Sequence, residues 1–377
     1  MDFQKITEYL DSLVNERNIP SVDCIICREH EEIYRHFYGT TDEGRSEKIG
    51  DNQIYLVFSM TKIQTMTAIM QLVEAGKISL EDEVGDYLSA YKNLSVKDKD
   101  GKIVPIKNPL KIKYLVSMQS GLDYNLERGQ IKKVLDEKGA KATTGELVDA
   151  FVASPLDFEP GTHFQYSLSH DVAAALVAEV SGMSFKEYLS KNIWEPLGMK
   201  DTFFAKPNND DLKTLAKQFV MKEDGQIVPM EQTCNYQLSE SYESGGAGLI
   251  STAHDYSLLA DAIANGGEGR NGARILKPET VEIIKNNLLG DDSIKDLEEK
   301  MGRIGYGYGC GMQVLIDSKR ANASAPEGVF GWDGAAGSCT IMDTRSKTSV
   351  VFMMHVRSCG PAYGEFHPTL RDMVFGK

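Results

Sequence analysis

The sequence predicts an α/β protein of the α+β kind. An antiparallel sheet is built from both termini and flanked by helices, with a large, mainly helical insertion between them. Two observations predict this. Strand-like segments cluster near residues 22–38 and return beyond about 305, while helical periodicity dominates from about 60 to 300. Strands at both ends of a chain with helices between them form one sheet most simply when the ends come together. The division that follows is an α/β sheet domain of residues 1–80 and 245–377 and an inserted mainly helical domain of residues 81–244. The length of 377 residues fits two domains, or one with a large insertion.

Each element has its own signal. The N-terminus, from Met1 to about Asn18, reads as an amphipathic helix rather than a signal peptide, because the start is not basic and no long apolar core follows. Residues 22–27 and 33–38 flank the polar break Arg28-Glu29-His30-Glu31-Glu32, which predicts a hairpin. The apolar run 54–58 is buried and extended or loop-like. After it, Ile63, Met66, Ile69, Met70 and Val73 fall at helical spacing, and Gly76 stands where a helix ends. Ser169 and Asp171 open a helix that stops at Gly182. Ser184 opens another, which Pro196 is expected to stop, and Ser251-Thr252 cap a third that runs to Asn265-Gly266-Gly267. Strands are then expected at 308–315, 329–332, 338–342 and 348–356, with a closing helix at 368–374.

Composition narrows the classes of function. At 41% hydrophobic and 25% charged the chain is ordinary globular material, able to bury a large core. A net charge of -14 argues against nucleic acid and anionic membranes as partners. No apolar run approaches the ~18 residues that a membrane span needs. Six cysteines are scattered. Cys24 and Cys27 form a CxxC inside a strand, where alternation points the thiols to opposite faces. All six are read as buried thiols in a reducing compartment, so a cytoplasmic location is expected. The seven histidines show no metal-binding spacing, so neither a metal nor another cofactor is expected.

The chemistry begins at Ser59-Met60-Thr61-Lys62, where the apolar run becomes a helix. Residues i and i+3 share a helix face, so Lys62 reaches the Ser59 hydroxyl. Serine is a weak nucleophile until a neighbouring base takes its proton, and a lysine in a dry pocket can have its pKa lowered enough to help. A second string of this type, Ser89-Ala90-Tyr91-Lys92, lies in a polar stretch that reads as a surface loop and is taken as structural. Two further segments matter. Phe158 to Leu168 is a Pro-Gly turn leading to Tyr166 just before a helix. Gly331-Trp332-Asp333-Gly334-Ala335-Ala336-Gly337 is a small-residue strand behind an aromatic, a backbone that a ligand can approach closely.

In this order the three segments resemble the signature of the penicillin-recognising serine hydrolases: S-x-x-K, then Y-x-N, then K/H/W-x-G. The likeness is greatest to the class C β-lactamase branch and its esterase relatives, the family VIII carboxylesterases. It extends to Trp194-Glu195-Pro196-Leu197-Gly198-Met199 and Ser244-Gly245-Gly246-Ala247-Gly248-Leu249, and covers nearly the whole chain. The resemblance implies a β-lactamase/transpeptidase-like fold. It also implies Ser59 as the acylated nucleophile, with Lys62 and Tyr166 sharing the proton, the phenol drawn toward phenolate by the lysine. The backbone N–H groups of Ser59 and Ala335 would form the oxyanion hole, and Trp332, Gly334 and Leu168 would contact substrate.

Two departures bear on substrate. Leu168 stands where β-lactamases and carboxypeptidases have an asparagine that can hydrogen-bond a substrate amide. Trp332 stands where they have a cation that helps bind a carboxylate, and its indole offers one neutral donor and an apolar face. Both changes remove recognition of a peptide-like anion and suggest an uncharged small-molecule ester. The alternatives are a β-lactamase or D-amino-acid peptidase, an acyltransferase, and a catalytically silent scaffold. The intact Ser59, Lys62 and Tyr166 speak against the last.

Overall fold

The computed structural model describes residues 1–205, 215–231, 234 and 236–376. Its centre is a seven-stranded antiparallel sheet. The strands are β1 (Ser21–Arg28), β2 (Glu31–Gly39), β3 (Tyr306–Tyr308), β4 (Gln313–Leu315), β5 (Phe330–Asp333), β6 (Cys339–Asp343) and β7 (Thr348–Met353), in the spatial order β3-β4-β5-β6-β7-β1-β2. The two ends of the chain meet where β1 pairs β7, with Ile25 opposite Val351 and Ile26 opposite Val350.

Alternation along the strands feeds two cores. Cys24, Ile26, Val350 and Phe352 face helices α1 (Phe3–Asn15) and α5 (His367–Phe375), where Ile6, Leu10 and Leu370 are buried. Ile25, Cys27, Val351 and Met353 face the opposite way, toward α2 (Thr61–Glu74) and α4 (Ala253–Ala264). The CxxC thiols therefore lie on opposite faces, as the strand period requires. Helix α3 (Ser169–Ser181) packs on α2 from the far side and ends at Gly182, whose φ of +71° suits a left-handed cap. No helix among the described residues is long and apolar enough to cross a membrane.

Helix α2 is buried all round rather than on one face, from Thr61 through Met70. Several of its polar groups find specific partners. Thr65 Oγ1 donates to the Gly245 carbonyl at 2.7 Å, and the Trp194 indole donates to Gln64 Oε1 at 2.6 Å. Such directional bonds fix the helix rotation where packing from all sides would not, because an unmatched buried polar group is costly.

Several boundaries differ from expectation. Helix α1 ends at Asn15 rather than near 18. The strand expected at 308–315 is two strands, broken at Gly309-Cys310-Gly311. Ser89–Tyr91 is a 3₁₀ turn whose Tyr91 is buried, its hydroxyl donating to the Val148 carbonyl at 2.8 Å. Pro196 does not stop its helix. The turn ahead of it, Ser190–Trp194, widens to a π-helix, and a last turn, Glu195–Leu197, runs to Gly198. Proline has no N–H for the carbonyl of Asn192, and Gln71 Nε2 supplies the missing donor at 3.0 Å.

Candidate active site

The chain enters the site through a 3₁₀ turn, Phe58–Met60, that runs into α2. Phe58 takes φ +45°, in the left-handed region that a bulky residue adopts only when its surroundings hold it there. Ser59 follows, half-buried at the mouth of a cavity. One turn on, Lys62 is fully enclosed. Its Nζ lies 3.3 Å from Ser59 Oγ and donates to the Gly246 carbonyl at 2.7 Å. Burial lowers its pKa to about 7, against the opposing pull of the Asp171 and Asp333 charges.

Tyr166 comes from the segment ahead of α3. Its hydroxyl is hydrogen-bonded with Ser59 and accepts from the Trp332 indole at 3.2 Å. Lys62 Nζ lies over the Tyr166 ring, 4.6 Å from its centroid. Burial holds the phenol above its ordinary value and outweighs both hydrogen bonds. This corrects the expectation of a phenol drawn toward phenolate. The amine meets the ring face, where cation–π attraction operates, rather than the phenolic oxygen.

The cavity beside Ser59 has a volume of about 390 Å³. Tyr124, Tyr166, Tyr236, Trp332 and Tyr363 form most of its wall, with Met301 and Ala335. Tyr124 stacks on Tyr166 at 5.7 Å, and Tyr236 meets Tyr124 edge-on at 5.8 Å. A cavity of this size and apolar lining suits a small organic molecule.

The structure thus brings together Ser59, Lys62, Tyr166, Trp332 and Ala335. It does not bring Leu168 to the cavity wall. Leu168 is 3% exposed and lies in the core at the N-cap of α3, where its carbonyl accepts from the N–H of Asp171. Gly334 is also set back, and a Cβ there would lie 2.4 Å from the Val57 carbonyl oxygen. Its smallness lets the β5 turn close against the chain just ahead of Ser59.

Sequence reasoning missed the far wall. Arg303, just before β3, places its guanidinium 5.6 Å over the Trp332 ring and forms an ion pair with Asp333 at 2.5 Å. A cation therefore stands beside Trp332, and its charge is matched by Asp333. Tyr124, Tyr236 and Tyr363 were missed as well. They come from three separate segments, and no local pattern marks them. Among the described residues no cluster of histidine, cysteine or carboxylate groups could hold a metal ion.

A family model described as Beta-lactamase matches residues 5–361, almost the full chain. The chain belongs to the beta-lactamase family. Its relatives include Esterase EstB of Burkholderia gladioli, 26% identical over 400 aligned positions that cover 99% of this chain and 95% of that one. Lovastatin esterase of Penicillium rubens is 27% identical over 294 positions, with 71% of each chain covered. Among solved structures, EstCE1, described as a hydrolase with promiscuous acyltransferase activity, superposes with a TM-score of 0.81 at 23% identity, covering 99% of this chain and 98% of its own. The last likeness establishes the shared fold.

Proposed function

We propose that this beta-lactamase-family protein is a serine carboxylesterase that works through an acyl-enzyme on Ser59, without a cofactor. The carrying observation is the meeting of Lys62 and Tyr166 at Ser59, where Ser59 and Tyr166 line one mainly aromatic cavity and Lys62 lies buried behind the serine. With a pKa near 7, Lys62 is neutral in a large fraction of molecules at physiological pH, whereas the Tyr166 phenol keeps its proton. Lys62 is therefore the proton acceptor. The Ser59 O–H breaks as Oγ adds to the ester carbonyl, and the proton moves to Nζ. The N–H groups of Ser59 and Ala335 receive the oxyanion, and losing one such donor typically costs about 3 kcal/mol. The proton then passes to the departing alcohol, directly or through Tyr166. Water repeats the sequence to release the acid.

The aromatic wall and the internally neutralised Arg303–Asp333 pair support an uncharged ester. The esterase relatives support ester over β-lactam. Six buried free thiols support a reducing, cytoplasmic setting.

Turnover of p-nitrophenyl acetate and butyrate beside nitrocefin tests the reading. Ester hydrolysis with slow or absent nitrocefin turnover is expected. Fast nitrocefin turnover without ester hydrolysis would overturn it in favour of a β-lactamase. Acceleration by added alcohols or amines, with transfer products, would assign an acyltransferase instead.

A further inference from the structure

Asp171 is a buried carboxylate, 1% exposed, on the first turn of α3. Its Oδ1 accepts from Tyr242 OH at 2.8 Å, Ser244 Oγ at 2.6 Å and the Gly246 N–H at 3.4 Å. All three donors are neutral, and Oδ2 has no hydrogen-bond partner among the described residues. A buried carboxylate with only neutral donors needs a countercharge nearby. Lys62 is the cation whose charge state Asp171 influences. The other carboxylate that acts on Lys62, Asp333, is already matched by Arg303.

The two residues are also linked mechanically. The loop that Asp171 ties down carries Gly246, whose carbonyl holds Lys62 Nζ at 2.7 Å. The approach is so close that a Cβ on Gly246 would lie 2.6 Å from Asp171 Oδ2.

We propose that Asp171 is the positioning partner of Lys62. It fixes the Gly246 carbonyl on the amine and supplies the negative charge that meets the ammonium formed when Ser59 is deprotonated. The inference rests on Lys62 being the proton acceptor. In the step, the Ser59 O–H bond breaks, a Lys62 N–H bond forms, and the Oγ–carbonyl bond forms as the carbonyl electrons move to oxygen. Asp171 neither gains nor loses a proton. The other groups facing Lys62 are Ser59, the rings of Tyr124 and Tyr166, His170 and Asp333. Burial keeps His170 neutral, and it carries no competing charge. Those facing Asp171 are Tyr242, Ser244 and the Tyr124 and Tyr91 phenols, which burial holds protonated.

The test is the pH profile of kcat/KM for p-nitrophenyl butyrate in Asp171→Asn, Asp171→Ser and Asp171→Glu, each checked for folding by thermal melting. Removing the charge lets the lysine lose its proton more readily. In either neutral variant the acid limb should therefore move to lower pH, by about one unit, while the plateau falls roughly tenfold because the ammonium loses its countercharge. Asp171→Glu should keep the acid limb near the wild-type position. Tyr242→Phe and Ser244→Ala, which remove donors but leave the charge, should not lower the acid limb. An acid limb that stays put in a folded neutral variant would overturn the inference. So would failure of both neutral variants to fold, which would make Asp171 a framework residue. If a fluorophosphonate probe labels Ser59 in the wild type, such failures sink only the role of Asp171. If Ser59 is not labelled, the parent reading falls with it.

Discussion

Lys62 donates to the Gly246 carbonyl at 2.7 Å and stands 3.3 Å from Ser59 Oγ. The inequality matters. A neutral amine has two N–H bonds and one lone pair, and a carbonyl can only accept. The carbonyl therefore fixes an N–H and leaves the lone pair free to face the serine. Once protonated, the same amine can donate to both.

The first prediction is a pH dependence. Because Lys62 must be neutral to accept a proton, kcat/KM should rise with pH through about 7. Stability carries the same signature. Unfolding returns the lysine toward its ordinary value of 10.5, so between about 7 and 10.5 the unfolded chain binds more protons. From this group alone, stability should rise with pH across that window. Activity profiles and denaturant midpoints at matched pH check both.

Trp332→Phe removes the indole donor from the Tyr166 hydroxyl and keeps an aromatic wall. If that bond orients the phenol toward Ser59, kcat for p-nitrophenyl butyrate should fall roughly tenfold with KM little changed. A rise in KM with kcat intact would instead make Trp332 a packing contact for the substrate.

Much of this arrangement is legible in the sequence, for physical reasons. The strand alternation and the Ser59–Lys62 pair are local, set by periods of 2 and 3.6 residues, so neighbours in sequence determine them. Tyr166 and Trp332 are found by their motifs. Leu168 misleads because its motif position points toward substrate while its side chain turns into the core as α3 begins. Arg303 and Asp171 are invisible locally. Each acts through partners far along the chain, Asp333 for one and the 242–246 loop for the other. Pro196 reads as a stop because the rule assumes an α-helical ladder, and the π turn with Gln71 sidesteps it.

Asp333→Asn should expose the hidden cation. With its partner neutral, Arg303 is left uncompensated beside the cavity. Breaking a buried pair in this way typically costs about 3–5 kcal/mol of stability. The folded fraction should acquire a preference for acyl groups ending in a carboxylate, seen as a lower KM for a hemisuccinate ester than for a butyrate ester. Equal KM values in the variant would show that Arg303 does not face the bound substrate.

The most direct measurement is trapping of the intermediate. Rapid acid quench during turnover of p-nitrophenyl butyrate, followed by intact mass and peptide mapping, should find one butyryl group on the peptide containing Ser59. Ser59→Ala should show no adduct, with turnover lower by roughly 10⁴-fold or more. An acyl group mapped to another residue, or undiminished turnover in Ser59→Ala, would contradict the account.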